Sequence, residues 1–180
     1  MINFKITGTK TVFEGRVFDV RVDNIKYNSG NNGIREVVIH NGGAVVVPVN
    51  SDGKIVMVTQ YRYPFGKKFL ELPAGKLEKD EDPFVCAERE LTEETGYISK
   101  NITKLGQIAT SPGFCTELLH IYLARNLSSG KLNREEGEYG MEVFEFSLQE
   151  VEGKIRNGEI IDSKTICGIF YYRSLLQTGK

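Results

Sequence analysis

The segment from Gly75 to Tyr97 constrains the fold of this 180-residue chain more than any other. It reads GKLEKDEDPFVCAERELTEETGY and carries the signals of a single helix. Asp82 is suited to be the N-cap and Pro83 the first helical residue. Gly96 is suited to end the helix, because glycine adopts the left-handed backbone conformation found there without strain. The sequence therefore predicts a short, sharply bounded and acidic helix.

Three glutamates lie close together on this predicted helix. Glu90 and Glu94 are four positions apart, so their side chains share a face, and Glu93 lies one step around. Crowded carboxylates repel one another, and their hard oxygens suit Mg²⁺ or Mn²⁺. The pattern predicts a divalent cation site. The alternative is a solvated, charged helix face on which Arg89 and Glu93 form an ordinary ion pair.

The spacing of the charged residues and glycines resembles the Nudix box, the signature of Nudix hydrolases. The segment compresses to G-x5-E-x7-R-E-L-x-E-E-x-G-Y, and only Tyr97 departs from the pattern, where the family usually has an aliphatic residue. The resemblance implies an α/β fold of the Nudix type, an α/β/α sandwich with a mixed sheet.

The remaining segments predict strands and two C-terminal helices around this helix. Alternating residues at 11–26 and 34–39, with a turn at 28–33, predict a small antiparallel sheet that precedes the main domain. We therefore expect a dimerising β-sheet region at 1–40 and a Nudix domain at 41–180. Further strands are expected at GGAVVVPV, KIVMVTQYRY, FLEL, 104–110, 117–124 and MEVFEFS, and helices near Leu148 and from Asp162 to Leu176.

Composition predicts a cytoplasmic protein without a membrane span. The formal net charge of −1 gives no reason to expect nucleic-acid binding, and no apolar run approaches the roughly 18–20 residues that span a bilayer. The N-terminal MINFKITGTK lacks the apolar core of a signal peptide. Cys86, Cys115 and Cys167 are widely separated and odd in number, which suits a reducing compartment. No evident histidine base accompanies Cys115, so a catalytic thiol is disfavoured.

A second resemblance concerns the substrate. Pro112 falls 16 positions after Gly96, within SPGF, as in the ADP-ribose pyrophosphatase subgroup of the family. A simple turn is the alternative, because Pro-Gly favours turns anywhere. The segments EGRVF, REVV, QYRYP and ELPAGKLE also resemble that subgroup.

The family resemblance implies roles for the residues of the box. Glu90 and Glu94 would bind Mg²⁺, with Mn²⁺ as a substitute, and the backbone carbonyl of Ala74 would be a further ligand. Glu93 would add a direct or water-mediated contact and is a candidate catalytic residue. Arg89 would orient a carboxylate. Glu81 would be either a supporting residue or a solvent-exposed one.

The subgroup resemblance implies a homodimer in which both protomers contribute to the substrate site. Arg35 and Glu36, supplied by the second protomer, would lie near the adenosine part. Arg62 would contact phosphate or ribose, a role suited to its forked donors. The loop on the ribose side would contain Ser111, Pro112, Gly113 and Glu117. Each of these residues could instead be structural.

The catalytic base is expected in an acidic loop before a late strand, as in the resembling enzymes. The corresponding residues here are Glu135-Glu136-Gly137-Glu138. Glu136 is the first candidate to activate water, and Glu138 the candidate to contact metal or to act in its place. A solvated loop without chemistry is the alternative.

The resemblance therefore implies Mg²⁺-dependent hydrolysis of ADP-ribose to AMP and ribose 5-phosphate. Hydrolysis of another nucleoside diphosphate sugar, such as GDP-mannose, remains open. A third possibility is a non-catalytic Nudix domain that senses ADP-ribose, although the intact set of glutamates argues against it.

Overall fold

The structure is a computed structural model, and it describes residues 3–132 and 140–179. The strands, in chain order, are β1 (Phe4–Glu14), β2 (Asp19–Tyr27), β3 (Asn32–Ile39), β4 (Gly43–Pro48), β5 (Ile55–Arg62), β6 (Lys67–Glu71), β7 (Ala74–Lys76), β8 (Tyr97–Ile98), β9 (Asn101–Ala109), β10 (Leu118–Arg125), β11 (Ser128–Ser129) and β12 (Glu142–Phe146). The helices are α1 (Pro83–Thr95), α2 (Leu148–Arg156) and α3 (Ser163–Gln177), with a short 3-10 turn at Tyr63–Phe65.

Two compact units make up the chain. The first contains the described residues up to Gly42 together with Ala109–Leu118, and the second contains Gly43–Ile108 and the described residues from Leu119 onward. The predicted division into domains at 1–40 and 41–180 stays a prediction.

The first unit is a three-stranded antiparallel sheet with β2 in its centre. The alternation over residues 11–26 belongs to two strands, because the chain turns back between Glu14 and Asp19. Asp19 accepts a hydrogen bond from the backbone nitrogen of Gly15 at 3.1 Å. A Cβ on Gly15 would lie 2.6 Å from the carbonyl oxygen of Phe18, so the turn requires glycine there. The loop at 109–118 lies along the end of β3, where Val38 exchanges backbone hydrogen bonds with Phe114 and Thr116.

The second unit contains a mixed sheet with the order β7-β4-β10-β9, in which β4 runs parallel to β10 and antiparallel to β7. A further antiparallel sheet has the order β12-β5-β6. Strand β4 is buried along its whole length, as expected for a strand covered on both faces.

The side chains of β4 alternate between two hydrophobic cores. Ala44 and Val46 belong to the core that contains Cys86, Ala87 and Leu91 of α1. In contrast, the neighbouring valines at 45 and 47 belong to a core that contains residues of α3. The sheet is therefore covered by helices on both faces, and the predicted α/β/α sandwich with a mixed sheet is confirmed.

Helix α1 has the boundaries that the sequence predicted. The Asp82 carboxylate caps it by accepting from the backbone nitrogen of Phe84 at 2.7 Å, and Pro83 is the first helical residue. Gly96 ends the helix with a φ of 73°, in the left-handed region. Among the described residues, no helix is both long enough and apolar enough to cross a membrane.

Candidate active site

The carboxylates of Glu90 and Glu94 are buried on the inner face of α1. Their exposed fractions are 6% and 1%. Glu93 lies one step around the helix, and 24% of its side chain is exposed. Burial of two charged groups four residues apart is costly unless they are paired or bind a cation. The structure thus places the two predicted metal ligands on one buried face.

The backbone of Ala74 and Gly75, in β7, lies against both buried carboxylates. The Ala74 nitrogen donates to Glu94 Oε2 at 3.0 Å. A Cβ on Gly75 would lie only 1.8 Å from Glu90 Oε1 and 2.1 Å from its Cδ. Glycine is therefore required at position 75, because any side chain would occupy the space of the Glu90 carboxylate.

Arg89 orients the acidic residues of the box through several hydrogen bonds. Its Nη1 donates to Glu90 Oε1 at 2.6 Å and to Glu93 Oε2 at 3.1 Å. Its Nε and Nη2 each donate to Glu81 at 3.1 Å, one to each carboxylate oxygen. The bond to Glu81 is the main cause of a raised pKa of Arg89, so the guanidinium stays charged. This pattern favours a supporting role for Glu81 over a solvent-exposed one.

Replacing Glu81 by glutamine is expected to destabilise the protein in a pH-dependent way. The hydrogen bond from Arg89 lowers the pKa of Glu81 in the folded protein. A lowered folded pKa stabilises the fold above the ordinary carboxyl value, and this contribution disappears as the pH falls through the folded pKa. Urea denaturation at pH 7 should show Glu81→Gln to be less stable than the wild type, and the difference should shrink on acidification below pH 4.5. Glu88→Gln, at an exposed position of α1, is the control; an equal difference at both pH values for Glu81→Gln would contradict the prediction.

Cys86 is the one cysteine that lies within the box, and it is buried. Burial raises the pKa of its thiol to about 12. A thiol that stays protonated at neutral pH is a poor nucleophile. Its place in the core with Ala44 and Leu91 therefore indicates a packing role.

Arg62 is held at the end of β5 by the buried carboxylate of Glu71. Its Nε donates to Glu71 Oε1 at 2.7 Å, and its Nη2 donates to the other oxygen. The bond to Glu71 is the main cause of the raised pKa of Arg62, and the charge of Glu94 also contributes. Arg62 therefore lies close enough to Glu94 of α1 for the two charges to interact. Glu71 was not predicted from the sequence, although a lone charge within the apolar FLEL could have indicated it.

The predicted substrate residues of β3 belong to the first unit. Arg35 donates to the hydroxyl of Tyr27 at 2.7 Å, and its guanidinium lies over the rings of Phe4 and Tyr27 at 5.9 and 5.8 Å. Glu36 is exposed. Aromatic contacts of this kind hold a guanidinium in place, and Nη1 of Arg35 also donates to the carbonyl oxygen of Ile34 at 2.9 Å.

The predicted loop residues belong to the same unit. The carbonyl oxygen of Ser111 accepts from the backbone nitrogens of Phe114 and Cys115, so SPGF forms a turn, in which Pro112 and Gly113 are exposed. Glu117 lies 3.5 Å from His40 Nδ1. The turn that was the alternative interpretation of Pro112 is thus present, and a substrate role for this loop stays a prediction.

A magnesium ion fits the donors around Glu90 and Glu94. Among the described residues, no group of three or more His, Cys, Asp and Glu side chains is arranged to hold a metal. Mg²⁺ needs no such group, because it usually keeps several waters and takes one or two protein carboxylates together with substrate phosphates. Two buried carboxylates beside the Ala74 backbone match that requirement. The predicted base Glu136 and its neighbour Glu138 lie outside the described residues.

Comparison with known proteins agrees with this geometry. The family model for the NUDIX domain matches residues 40–166. The chain is 42% identical to the "Methanol dehydrogenase activator" of Bacillus methanolicus and 41% identical to the "ADP-ribose pyrophosphatase" of Bacillus subtilis (strain 168). Each alignment covers 93% of this chain and 91% of the relative. A "GDP-mannose pyrophosphatase" of Cronobacter sakazakii is 36% identical, over 73% of each chain.

A solved structure supports the fold independently. The structure described as "Crystal structure of ADP compounds hydrolase" has a TM-score of 0.89 at 19% identity, covering 99% of this chain and 97% of that one. The resemblance to Nudix proteins and to ADP-ribose pyrophosphatases that the sequence predicted is confirmed. The match to the family model and the identity to these relatives show that the chain belongs to the Nudix family.

Proposed function

We propose that this protein hydrolyses the diphosphate linkage of ADP-ribose, releasing AMP and ribose 5-phosphate, with Mg²⁺ as its ion and Mn²⁺ as a substitute. The observation that carries the chemistry is the burial of Glu90 and Glu94 on one face of α1, against the backbone of Ala74 and Gly75. The relative named ADP-ribose pyrophosphatase supports the substrate, because it is more similar than the relative named GDP-mannose pyrophosphatase.

In this proposal the residues of the box hold the ion and one another. Glu90, Glu94 and the carbonyl oxygen of Ala74 would be the ligands of Mg²⁺. When bound, the ion would neutralise phosphate oxygens and acidify a bound water. Arg89 fixes the orientation of Glu90 and Glu93, so these carboxylates need not reorganise when substrate arrives.

The proposal assigns proton abstraction to Glu136, with Glu138 as a metal contact or a substitute base. Replacing Glu136 by glutamine should lower kcat about 10²–10⁴-fold, because an amide cannot accept the proton of the attacking water. Glu138→Gln should retain more activity. Both variants should be compared with the wild type at saturating Mg²⁺ and ADP-ribose, and full kcat in Glu136→Gln would contradict the assignment.

We further propose a homodimer that forms through the first unit, with Arg35 and Glu36 completing the substrate site of the second protomer. Ser111, Pro112, Gly113 and Glu117 would line the ribose side of the site. The support is a set of exposed apolar side chains in this unit, since large exposed apolar patches mark interaction sites. They are Ile6, Val12, Phe13, Val17, Phe18 and Ile34.

Replacing Ile34 by lysine is expected to weaken this dimer and to raise KM for ADP-ribose. Ile34 is 60% exposed on β3, so the change places a charge on the surface without removing a core residue. Light scattering after size exclusion should show a shift from twice the chain mass toward the chain mass. The control is Phe170→Lys at an exposed apolar position of α3, which should remain dimeric. A wild type that is monomeric at micromolar concentration would contradict the proposal.

The proposed location is the cytoplasm. Its support is that all three cysteines are free, as is usual in a reducing compartment.

The experiment that tests the function is a substrate panel with purified protein and Mg²⁺. ADP-ribose, GDP-mannose and other nucleoside diphosphate sugars should be incubated separately, and nucleoside monophosphate release measured. ADP-ribose is expected to give AMP at the highest kcat/KM. Rapid turnover of another sugar nucleotide without AMP from ADP-ribose would overturn the substrate, and tight binding without any turnover would favour a sensor.

A second candidate function is activation of a dehydrogenase. It is favoured by the 42% identity to the relative named methanol dehydrogenase activator. Adding this protein to a purified methanol dehydrogenase and measuring the oxidation rate would test it. Comparison with the Glu94→Gln variant would show whether activation requires the carboxylates of α1.

A further inference from the structure

We propose that Lys164 and Asp162, at the start of α3, act with Glu71 as positioning residues that aim the free edge of the Arg62 guanidinium at the diphosphate of the substrate. This inference rests on the proposed function only in taking a diphosphate as the ligand of Arg62. It concerns residues that lie outside the Nudix box.

Glu71 fixes one edge of the Arg62 guanidinium. Glu71 is 1% exposed, and both of its carboxylate oxygens accept from Arg62 through Nε and Nη2. A two-bond pair of this kind defines the plane and direction of a guanidinium, which a single hydrogen bond does not. Among the described residues, the third nitrogen, Nη1, has no hydrogen-bond partner, and 36% of the Arg62 side chain is exposed. Within the described part of the chain, Arg62 thus presents a fixed cation with one open edge.

Glu71 is itself held by a second cation. The Nζ of Lys164 donates to Glu71 Oε2, the oxygen that also accepts from Nη2 of Arg62. Only 11% of the Lys164 side chain is exposed. A buried carboxylate between two cations has little freedom to rotate, because turning it would break bonds on both sides.

Asp162 holds the Lys164 ammonium in position at the start of α3. Asp162 Oδ2 accepts from Lys164 Nζ at 2.9 Å and from both the nitrogen and the hydroxyl of Thr165, at 3.0 and 2.6 Å. The Thr165 hydroxyl oxygen in turn accepts from the backbone nitrogen of Leu72 at 2.9 Å, next to Glu71. The contacts therefore return to the residue that follows Glu71 in the chain. Burial alone would raise the pKa of Asp162, but the charge of Lys164 and the bonds from Thr165 lower it.

The cluster of Arg62, Glu71, Asp162 and Lys164 adjoins the acidic face of α1. Glu71 and Ala74 are three residues apart on one short segment, and the Ala74 nitrogen donates to Glu94. The charge of Glu94 contributes to the raised pKa of Arg62. In the proposal, the open edge of Arg62, which is suited to phosphate oxygens, takes a phosphate group drawn to an ion held by Glu94. The cluster contains two cations and two carboxylates, so positioning, rather than added charge, is what Lys164 and Asp162 supply.

The test is a double-mutant cycle between Lys164→Met and Arg62→Lys, read by binding of ADP in EDTA with isothermal calorimetry. Methionine is similar in volume to lysine but has no charge. Lys164→Met should weaken ADP binding about tenfold when Arg62 is present and less than twofold in the Arg62→Lys background. The same non-additivity is expected in kcat/KM for ADP-ribose with Mg²⁺. Equal factors in both backgrounds, or no effect of Lys164→Met, would overturn the proposal.

Two further variants separate positioning from stability. Asp162→Asn keeps a side-chain oxygen that can cap α3 but removes the charge beside Lys164, and it should weaken ADP binding about threefold with Arg62 present. If Lys164→Met does not fold, the cycle with Asp162→Asn decides the question in the same way. Lys154→Met, in α2, breaks an ion pair with Glu159 and a contact of the ammonium with the Phe146 ring, neither of which touches Arg62 or Glu71, and it should bind ADP like the wild type.

These measurements distinguish failure of ADP-ribose as the substrate from failure of the positioning role of Lys164 and Asp162. If ADP shows the coupling but ADP-ribose is not hydrolysed, the positioning role stands and only the proposed substrate fails. If ADP does not bind the wild type at all, the diphosphate ligand of Arg62 is wrong and the proposal fails.

Discussion

Replacing Glu94 by glutamine is expected to lower kcat for ADP-ribose about 10³-fold while leaving the fold intact. Glutamine has nearly the shape of glutamate. In the wild type, Glu94 Oε2 accepts from the Ala74 nitrogen at 3.0 Å, and the carbonyl oxygen of glutamine can accept the same bond. The change therefore removes the charge and keeps the packing. A divalent ion contributes several kcal/mol to stabilising transition-state charge, and a 10³-fold loss corresponds to about 4 kcal/mol.

The measurement is kcat as a function of Mg²⁺ concentration, with thermal unfolding as the check on the fold. Glu94→Gln should need much more Mg²⁺ to reach its reduced maximum, while its Tm stays close to that of the wild type. The matched control is Glu88→Gln, on the exposed face of the same helix, which should keep both kcat and its Mg²⁺ dependence. Wild-type kcat in Glu94→Gln would show that this carboxylate does not hold the ion.

Replacing Gly75 by alanine is expected to abolish most activity and to destabilise the protein. The added methyl group would lie 1.8 Å from Glu90 Oε1, well inside any permitted contact. Glu90 cannot move away freely, because it is buried and bonded to Arg89. Overpacking in a well-packed interior costs about 1–3 kcal/mol, and here the displaced group is also a proposed metal ligand.

Two measurements on Gly75→Ala separate these effects. Urea denaturation should show a lower free energy of unfolding, and activity should stay low even at high Mg²⁺. The control is Gly153→Ala in the middle of α2, where a Cβ would meet only Arg156 Nη2 at 3.9 Å. That variant should keep full activity and gain stability, since alanine favours a helix over glycine by about 1 kcal/mol. Unchanged stability and activity in Gly75→Ala would contradict the close approach of Gly75 to Glu90.

The parts of the fold that the sequence predicted are those governed by local interactions. Helix α1 begins at Pro83 and ends before Gly96 because its capping signals lie within the same few residues. The alternation at residues 11–26 predicted strands but not the turn between Glu14 and Asp19, since alternation continues across a turn. That turn depends on the close approach of Gly15 to the Phe18 carbonyl oxygen, which is not visible in the pattern.

Some features of the candidate site also follow from local sequence, and others depend on tertiary packing. By itself the sequence determined that Glu90 and Glu94 share a helix face, because helical periodicity fixes this, and it determined the family. Only the tertiary structure decided which face is buried and that Gly75 must be glycine, because both depend on β7 packing against α1.

Tertiary structure alone also brought Lys164 to Glu71, 93 positions apart in the chain. No local signal specifies such a contact, because it requires α3 to pack beside β6. The acidic helix thus followed from residues close together in sequence. The cluster that holds Arg62 followed from charges that are costly to bury unless distant segments pair them.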